Sequence, residues 1–248
     1  GEKSSTSTAG ALKDFLIKNK AKNIFLTTGK ESFTLSGAEA ALAELLSSYK
    51  VTRFSDFGTN PDLKDLKKGV SMFKKGKYDA VVAIGGGSVI DMAKLINIFS
   101  VQVGGPVPYI KDTKKIEKKG KPLVAIPTTA GSGSEATHFA VIYINKTKYS
   151  VAHKYLLPDL SILEPVFTNN LPKHITASTG MDVLCQAIEA YWSVGSTNVS
   201  KKYSKKAIAL VLGSLENAVR TSSLESREGM LRAAHLAGKA INIAKTKN

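Results

Sequence analysis

The chain is short of cysteine, aromatic residues and acids, and each shortage closes off a class of protein. Its single cysteine, Cys185, leaves no internal disulfide framework and fits a reducing compartment. No apolar run approaches the roughly 18–20 residues that a bilayer-crossing helix needs. The opening GEKSSTSTAG (1–10) has no apolar core of the secretory kind. These absences lead us to expect a soluble, cytoplasmic protein with no membrane partner. Aromatics are only 7% of the chain, too sparse to suggest platforms on which nucleic-acid bases stack. Acids are outnumbered, 20 against 35 basic residues, for a formal charge of +15. The lysines are nonetheless spread out, with modest clusters at KDTKKIEKKGK (111–121) and KKYSKK (201–206). We read them as solvated surface that favours small anions, and we expect no nucleic-acid partner.

What is present is an ordinary hydrophobic fraction, 43% of 248 residues, enough for one large domain or two modest ones. The first two thirds alternate strand and helix. NIFLTT (23–28) and VTRF (51–54) read as strands, with a helix over about 35–48 between them. The next helix is placed from Asn60-Pro61, with proline at its first position, to Gly76, and carries an apolar stripe of Leu63, Leu66, Val70 and Phe73. DAVVAIGGGS (79–88) is a continuous apolar strand, then three glycines, then a helix to about Ile98; KPLVAIPTT (121–129) repeats the strand-to-polar-loop design. Such alternation implies a parallel sheet covered by helices, with a ligand crevice at the strand ends. Beyond Pro165 three helices are expected, over 175–193, 199–220 and 225–244. The expected division is an α/β nucleotide-binding domain over 1–165 and an all-α domain over 166–248, with a cleft between them.

Gly85-Gly86-Gly87-Ser88, after a buried strand and before a helix, lets a phosphate approach bare backbone at the positive end of a helix dipole. The Ser88 hydroxyl can add a further hydrogen bond. A tight turn needing glycine for steric reasons is the other reading. PTTAGSGSEAT (127–137) offers Thr128, Thr129, Ser132 and Ser134 beside two glycines, suited to a nucleotide's phosphates or ribose. Ser132 and Glu135 also have capping-box spacing. In TGMDVLCQAIEAYWS (179–193), Thr179 can serve as an N-cap, and Met181, Leu184, Cys185, Ile188, Tyr191 and Trp192 recur at helical spacing. Cys185 is expected in the helix core. Asp182, Gln186 and Glu189 fall on another face, either solvated or part of a metal site, although a metal would prefer histidine to glutamine. The four histidines, His138, His153, His174 and His235, show no metal-ligand spacing among themselves.

Taken in order, GGGSVIDMAK (85–94), AIPTTAGSGSEAT (125–137), LLPDLSILEP (156–165) and TGMDVLCQAIEAYWS (179–193) resemble the iron-containing, or group III, alcohol dehydrogenase family. The resemblance implies the iron-type alcohol dehydrogenase fold, related to dehydroquinate synthase, with a helical domain that reads as incomplete. It implies hydride transfer between NAD(P)H and a small aldehyde or alcohol in the cleft. By the same resemblance, Gly86, Gly87 and Ser88 would hold the cofactor diphosphate with Asp91 beside them. Thr128, Thr129 and Ser132 would line the phosphate and nicotinamide region, and Lys148 would contact the cofactor. Gly29 stands where many NAD-using relatives carry a ribose-binding Asp, and Lys30 follows it, so NADPH is expected over NADH. The family's divalent metal, iron or zinc, is held by an Asp, a His four residues later and two further histidines. Asp182 matches the first and Gln186 replaces the second, so the ligand set is incomplete. Asp182 and Gln186 remain the candidate catalytic pair. The form QAIEAYWSVGST (186–197) most resembles a branch of the family associated with phosphonoacetaldehyde reduction, and that resemblance implies this anionic aldehyde as the substrate. A nucleotide-binding, non-catalytic remnant and a metal-independent relative on the same fold are the alternatives, and a homodimer is left open.

Overall fold

The computed structural model describes residues 7–244. Residues 1–6 and 245–248, including the first part of GEKSSTSTAG, lie outside the described residues. The elements run α1 (Thr8–Lys18), β1 (Asn23–Thr28), α2 (Ser32–Leu35), α3 (Ala38–Ser47), β2 (Lys50–Phe54), α4 (Leu63–Lys75), β3 (Ala80–Gly85) and α5 (Gly87–Ser100). They continue with α6 (Val107–Ile110), β4 (Leu123–Pro127), β5 (Phe139–Ile144), β6 (Thr147–Ala152), β7 (Leu160–Ser161), α7 (Lys173–Trp192), α8 (Asn198–Arg220) and α9 (Leu224–Ala244).

A five-stranded sheet in the order β2-β1-β3-β4-β7 is parallel throughout. Its central strands are apolar because both faces are covered. Phe25, Val81, Ala83, Leu123 and Ala125 face a core shared with α4 and α5. The alternate residues, Ile24, Leu26, Val82, Ile84 and Val124, pack into a second core with α1 and α3. The chain goes from β1 outward to β2, then crosses back to β3 on the other side of β1. The carboxyl ends of β1 and β3 therefore flank a topological switch point, where open sheets of this type leave a crevice. Helices α7, α8 and α9 follow and share a core built largely from alanine and valine. Among the described residues no helix is long and apolar enough to cross a membrane.

Several boundaries differ from the sequence expectation for identifiable reasons. Helix α4 starts at Leu63, not Asn60-Pro61, because Asp62 caps it by accepting from the Asp65 N–H at 2.8 Å. Pro61 stays outside, its carbonyl accepting from the Tyr143 N–H at 2.8 Å. Thr179 is not an N-cap. It lies inside α7, donating its hydroxyl to the Ile175 carbonyl at 2.8 Å. The buried face of α7 is also not the one expected. Thr176, Gly180, Val183, Ala187 and Ala190 are buried, whereas Met181, Cys185 and Trp192 are exposed. Small residues win that face because they let the helices approach: a Cβ on Gly180 would collide with the Leu215 side chain. The antiparallel hairpin β5–β6 was not foreseen from the sequence. Its turn, Asn145-Lys146, has both residues at positive φ, 48° and 66°, without the glycine that marks most such turns.

Candidate functional site

A cavity of about 720 Å³ opens at the switch point. Gly29 and Lys30 after β1, Gly86, Gly87 and Ser88 after β3, and Thr128 and Thr129 after β4 all border it. Phe167 and the 170–172 segment ahead of α7 close it from the helical side. Helix α5 begins here with no side chain capping it, so its first N–H groups are free to meet an anion. The glycines are needed for room as well as for the turn. A Cβ on Gly86 would stand 3.2 Å from the Thr129 Oγ1, and one on Gly87 would stand 2.5 Å from the Ser132 Oγ. The Ser88 hydroxyl is already engaged, donating to the Thr59 carbonyl and so holding the 57–59 loop at the rim. Arg53 braces the opposite lip through its bonds to the Gly29 and Lys30 carbonyls, each 3.1 Å. Lys30 itself pairs with Asp56 at 3.0 Å.

A second cavity, of about 320 Å³, is lined by Asp91, Ser132, Thr137, His138, Lys148 and Gln186 among others. Ser132 borders this cavity and packs against Gly87, which lines the first. The sequence-derived residues thus fall into two groups. Gly29, Gly86, Gly87, Ser88, Thr128 and Thr129 are in the larger cavity; Asp91, Ser132, Lys148 and Gln186 are in the smaller. Asp182, one turn before Gln186, is exposed and lines neither.

Asp91 does not face the glycine loop. Its two oxygens accept from the Ser134 hydroxyl at 2.5 Å and the Val141 N–H at 2.9 Å. Burial raises its carboxyl above the usual range, opposed by Lys94, Ser134, Val141 and Lys148. Lys94, also buried, is drawn down to about 8 by loss of solvent, against the pull of Asp91 and Glu135. The unfolded chain therefore holds this proton more tightly than the folded one, and stability rises with pH from about 8 towards 10.5. Wild type is expected to gain on Lys94→Met by up to about 1 kcal/mol per pH unit across that window. Urea denaturation at successive pH values measures the difference, and a flat difference would refute the shift.

The Ser132–Glu135 capping box is not formed. Gly133 adopts φ 61° and leads into a 3-10 turn, Ser134–Ala136, with no side-chain cap. Glu135 instead faces His235, Oε1 to Nδ1 at 3.3 Å. His138 is tied to Asn242 of α9 through both its backbone N–H and its Nδ1. Sequence reasoning passed over Lys94, Thr137 and the 57–59 loop. Lys94 did carry a signal: with Asp91 it forms an opposite-charge pair three residues apart in an otherwise nearly all-apolar helix.

The first cavity fits a dinucleotide: the cradle is one that side chains would fill, and it sits at a helix start. The residues present do not fit a catalytic metal. Gln186 is a neutral amide whose buried oxygen has no hydrogen-bond partner, and Asp182 points to an exposed position. No group of three His, Cys, Asp or Glu suited to a metal occurs among the described residues.

Two family models match the chain: "Iron-containing alcohol dehydrogenase" over residues 5–165, and "Fe-containing alcohol dehydrogenase family, C-terminal" over residues 176–247. The long-chain-alcohol dehydrogenase 1 of Geobacillus thermodenitrificans is 40% identical over 195 residues, covering 77% of this chain and 49% of the relative. The NAD-dependent methanol dehydrogenase of Bacillus methanolicus is 39% identical over 187 residues, covering 73% and 49%. The crystal structure of sulfoacetaldehyde reductase from Bifidobacterium kashiwanohense in complex with NAD+ superposes with a TM-score of 0.90 at 33% identity, covering 98% of this chain and 65% of that one. The chain spans about half the length of the curated relatives it matches.

Proposed function

The chain belongs to the iron-containing alcohol dehydrogenase family, and from that premise we propose that it reduces a small aldehyde to its alcohol with NADPH or NADH, in the cytoplasm. The observation that carries this reading is the pairing of two cavities across Ser132. One is a glycine-floored cradle at a helix start, the other a smaller polar chamber. In this reading the division near residue 165 separates the cofactor-binding part from the helical part that covers it. Gly86 and Gly87 let the diphosphate reach the N–H groups of α5, while Thr128 and Thr129 orient the nicotinamide end. The bound dinucleotide supplies the hydride. Lys148 and Gln186 offer N–H donors on the chamber wall for the aldehyde oxygen, where negative charge develops. Asp182 lies one turn before Gln186 on α7 and is exposed there. Lys30 beside Gly29 favours a 2′-phosphate, hence NADPH.

The substrate proposed is an anionic aldehyde, with phosphonoacetaldehyde reduced to 2-hydroxyethylphosphonate as the specific case. Its support is the cationic Lys148 at the chamber and the similarity to a protein described as a sulfoacetaldehyde reductase. Turnover with NADPH and NADH against neutral, sulfonated and phosphonated aldehydes tests the proposal. Oxidation of NADPH at least about tenfold more efficient with the anionic aldehydes is expected. Cofactor binding without turnover of any aldehyde would favour a non-catalytic nucleotide binder.

A further inference from the structure

Among the described residues Lys94 is the one buried ammonium, and the reaction as described gives it no part. Its side chain is fully enclosed, yet its Nζ is surrounded by oxygens of a single short segment. Ser134 offers its carbonyl at 2.6 Å and its hydroxyl at 2.9 Å, and Thr137 offers its carbonyl at 3.0 Å and its hydroxyl at 3.2 Å. The Phe139 carbonyl stands at 2.9 Å. Three N–H bonds are thus shared among five acceptors, three of them main-chain carbonyls, a number no neutral side chain could serve. Asp91, one turn earlier on the same face of α5, lies 4.0 Å from the ammonium and holds Ser134 and the Val141 N–H. Together the pair grips residues 134–141 from both charges.

That segment connects the cofactor side to the aldehyde side. It leaves the 128–132 loop, supplies Ser134, Thr137 and Val141 to the smaller cavity, and enters the hairpin that carries Lys148. The helix that grips it is the one whose first turn forms the glycine cradle. We propose that Lys94 is a positioning residue: its ammonium fixes the aldehyde-side chamber against the helix that holds the dinucleotide, so that hydride donor and acceptor meet in register. This rests on the reductase reading given above. It also makes a distinction that a general stabilising role would not. The larger cavity is lined by the loops after β1, β3 and β4, the 57–59 loop, Phe167 and residues 170–172, and the Lys94 ammonium bonds to none of them, only to Ser134, Thr137 and Phe139. Its loss should therefore act on one side of the site alone.

Lys94→Met nearly keeps the volume of the side chain, is one atom shorter, and removes every donor. In this variant the NADH dissociation constant, read by fluorescence titration, should stay within about twofold of wild type. Catalytic efficiency towards the best aldehyde should fall by about 100-fold, chiefly through KM, because a chamber out of place costs binding and alignment there. Hydrogen exchange at the Val141 amide, which Asp91 accepts, should speed up by at least about tenfold. Equal losses in NADH affinity and catalytic efficiency, or no loss in efficiency, would overturn the proposal. Should the wild-type chain turn over no aldehyde, the reductase reading falls, and the exchange experiment still decides on Lys94. Faster exchange over 134–141 with NADH affinity retained supports the grip, and unchanged exchange refutes it. Should Lys94→Met fail to fold, Thr137→Val, which removes one acceptor, should show the same one-sided pattern on a smaller scale. A two-sided pattern there refutes the proposal equally.

Discussion

Replacing Gly87 with valine is expected to weaken NADH binding by about 100-fold, roughly 2.7 kcal/mol, while leaving the chain folded. Gly87 is the first residue of α5, and a Cβ there would lie 2.5 Å from the Ser132 Oγ and 2.8 Å from the Ser132 Cβ. The hydroxyl can rotate away, but the Cβ is fixed to the loop backbone, so the loop must move. The added side chain also stands over the N–H groups at the helix start, which are the groups a diphosphate needs. The sheet and the core behind it are untouched, since Gly85 ends β3 and the buried face of α5 begins at Val89. Circular dichroism should therefore show the wild-type fold while fluorescence titration shows the lost affinity. Undiminished binding would mean that the diphosphate lies elsewhere, and the proposed function would lose its principal support.

Some of this site was legible in the sequence because its parts are local. A continuous apolar strand, three glycines and a helix start are contiguous from Ala80 to Ser88, and the glycine floor of the larger cavity can be read from them directly. Lys148 was placed by resemblance, although the hairpin that presents it went unread: β5 and β6 meet through Asn145-Lys146, a turn without glycine. The α7 face was misjudged because hydrophobic periodicity rewards large side chains. The helical layer instead packs through Gly180, Ala187 and Ala190, where smallness and not hydrophobicity decides the contact. Lys94 eluded the reading for a different reason. A lysine is ordinarily solvated, and only the distant carbonyls of residues 134, 137 and 139 make its burial possible. Of the two α7 residues read together, Gln186 borders the chamber and Asp182 stands outside it.

The glycines of GSG (131–133) have a second use, and it leads to the largest expected effect on stability. They were read as bare backbone for phosphate, but they face the helical layer: a Cβ on Gly131 would meet the Thr179 Cβ of α7 at 2.8 Å. Gly133 is tighter still. Its φ of 61° is one that side chains disfavour, and its Cβ would lie 2.6 Å from the Ala234 carbonyl oxygen and 3.0 Å from the Gly238 Cα. Both neighbours are main chain of α9, so no rotamer change relieves the contact. The approach is reciprocal, since a Cβ on Gly238 would come 2.5 Å from the Gly133 carbonyl oxygen. Gly133→Ala should therefore cost at least about 3 kcal/mol, combining left-handed strain with overpacking against backbone. Gly238→Ala should cost a comparable amount. Because both break one contact, the double variant should be less destabilised than the sum of the two. Gly213 supplies the contrast: it is exposed on α8, nothing lies within 4 Å of its Cβ position, and Gly213→Ala should stabilise by about 0.5–1 kcal/mol. Urea denaturation of the four variants measures all of these. If Gly133→Ala were as well tolerated as Gly213→Ala, the backbone approach of the 131–133 loop to α9 would be wrong. The chamber described here, whose walls include Ser132 from that loop and Ile241 from α9, would be wrong with it.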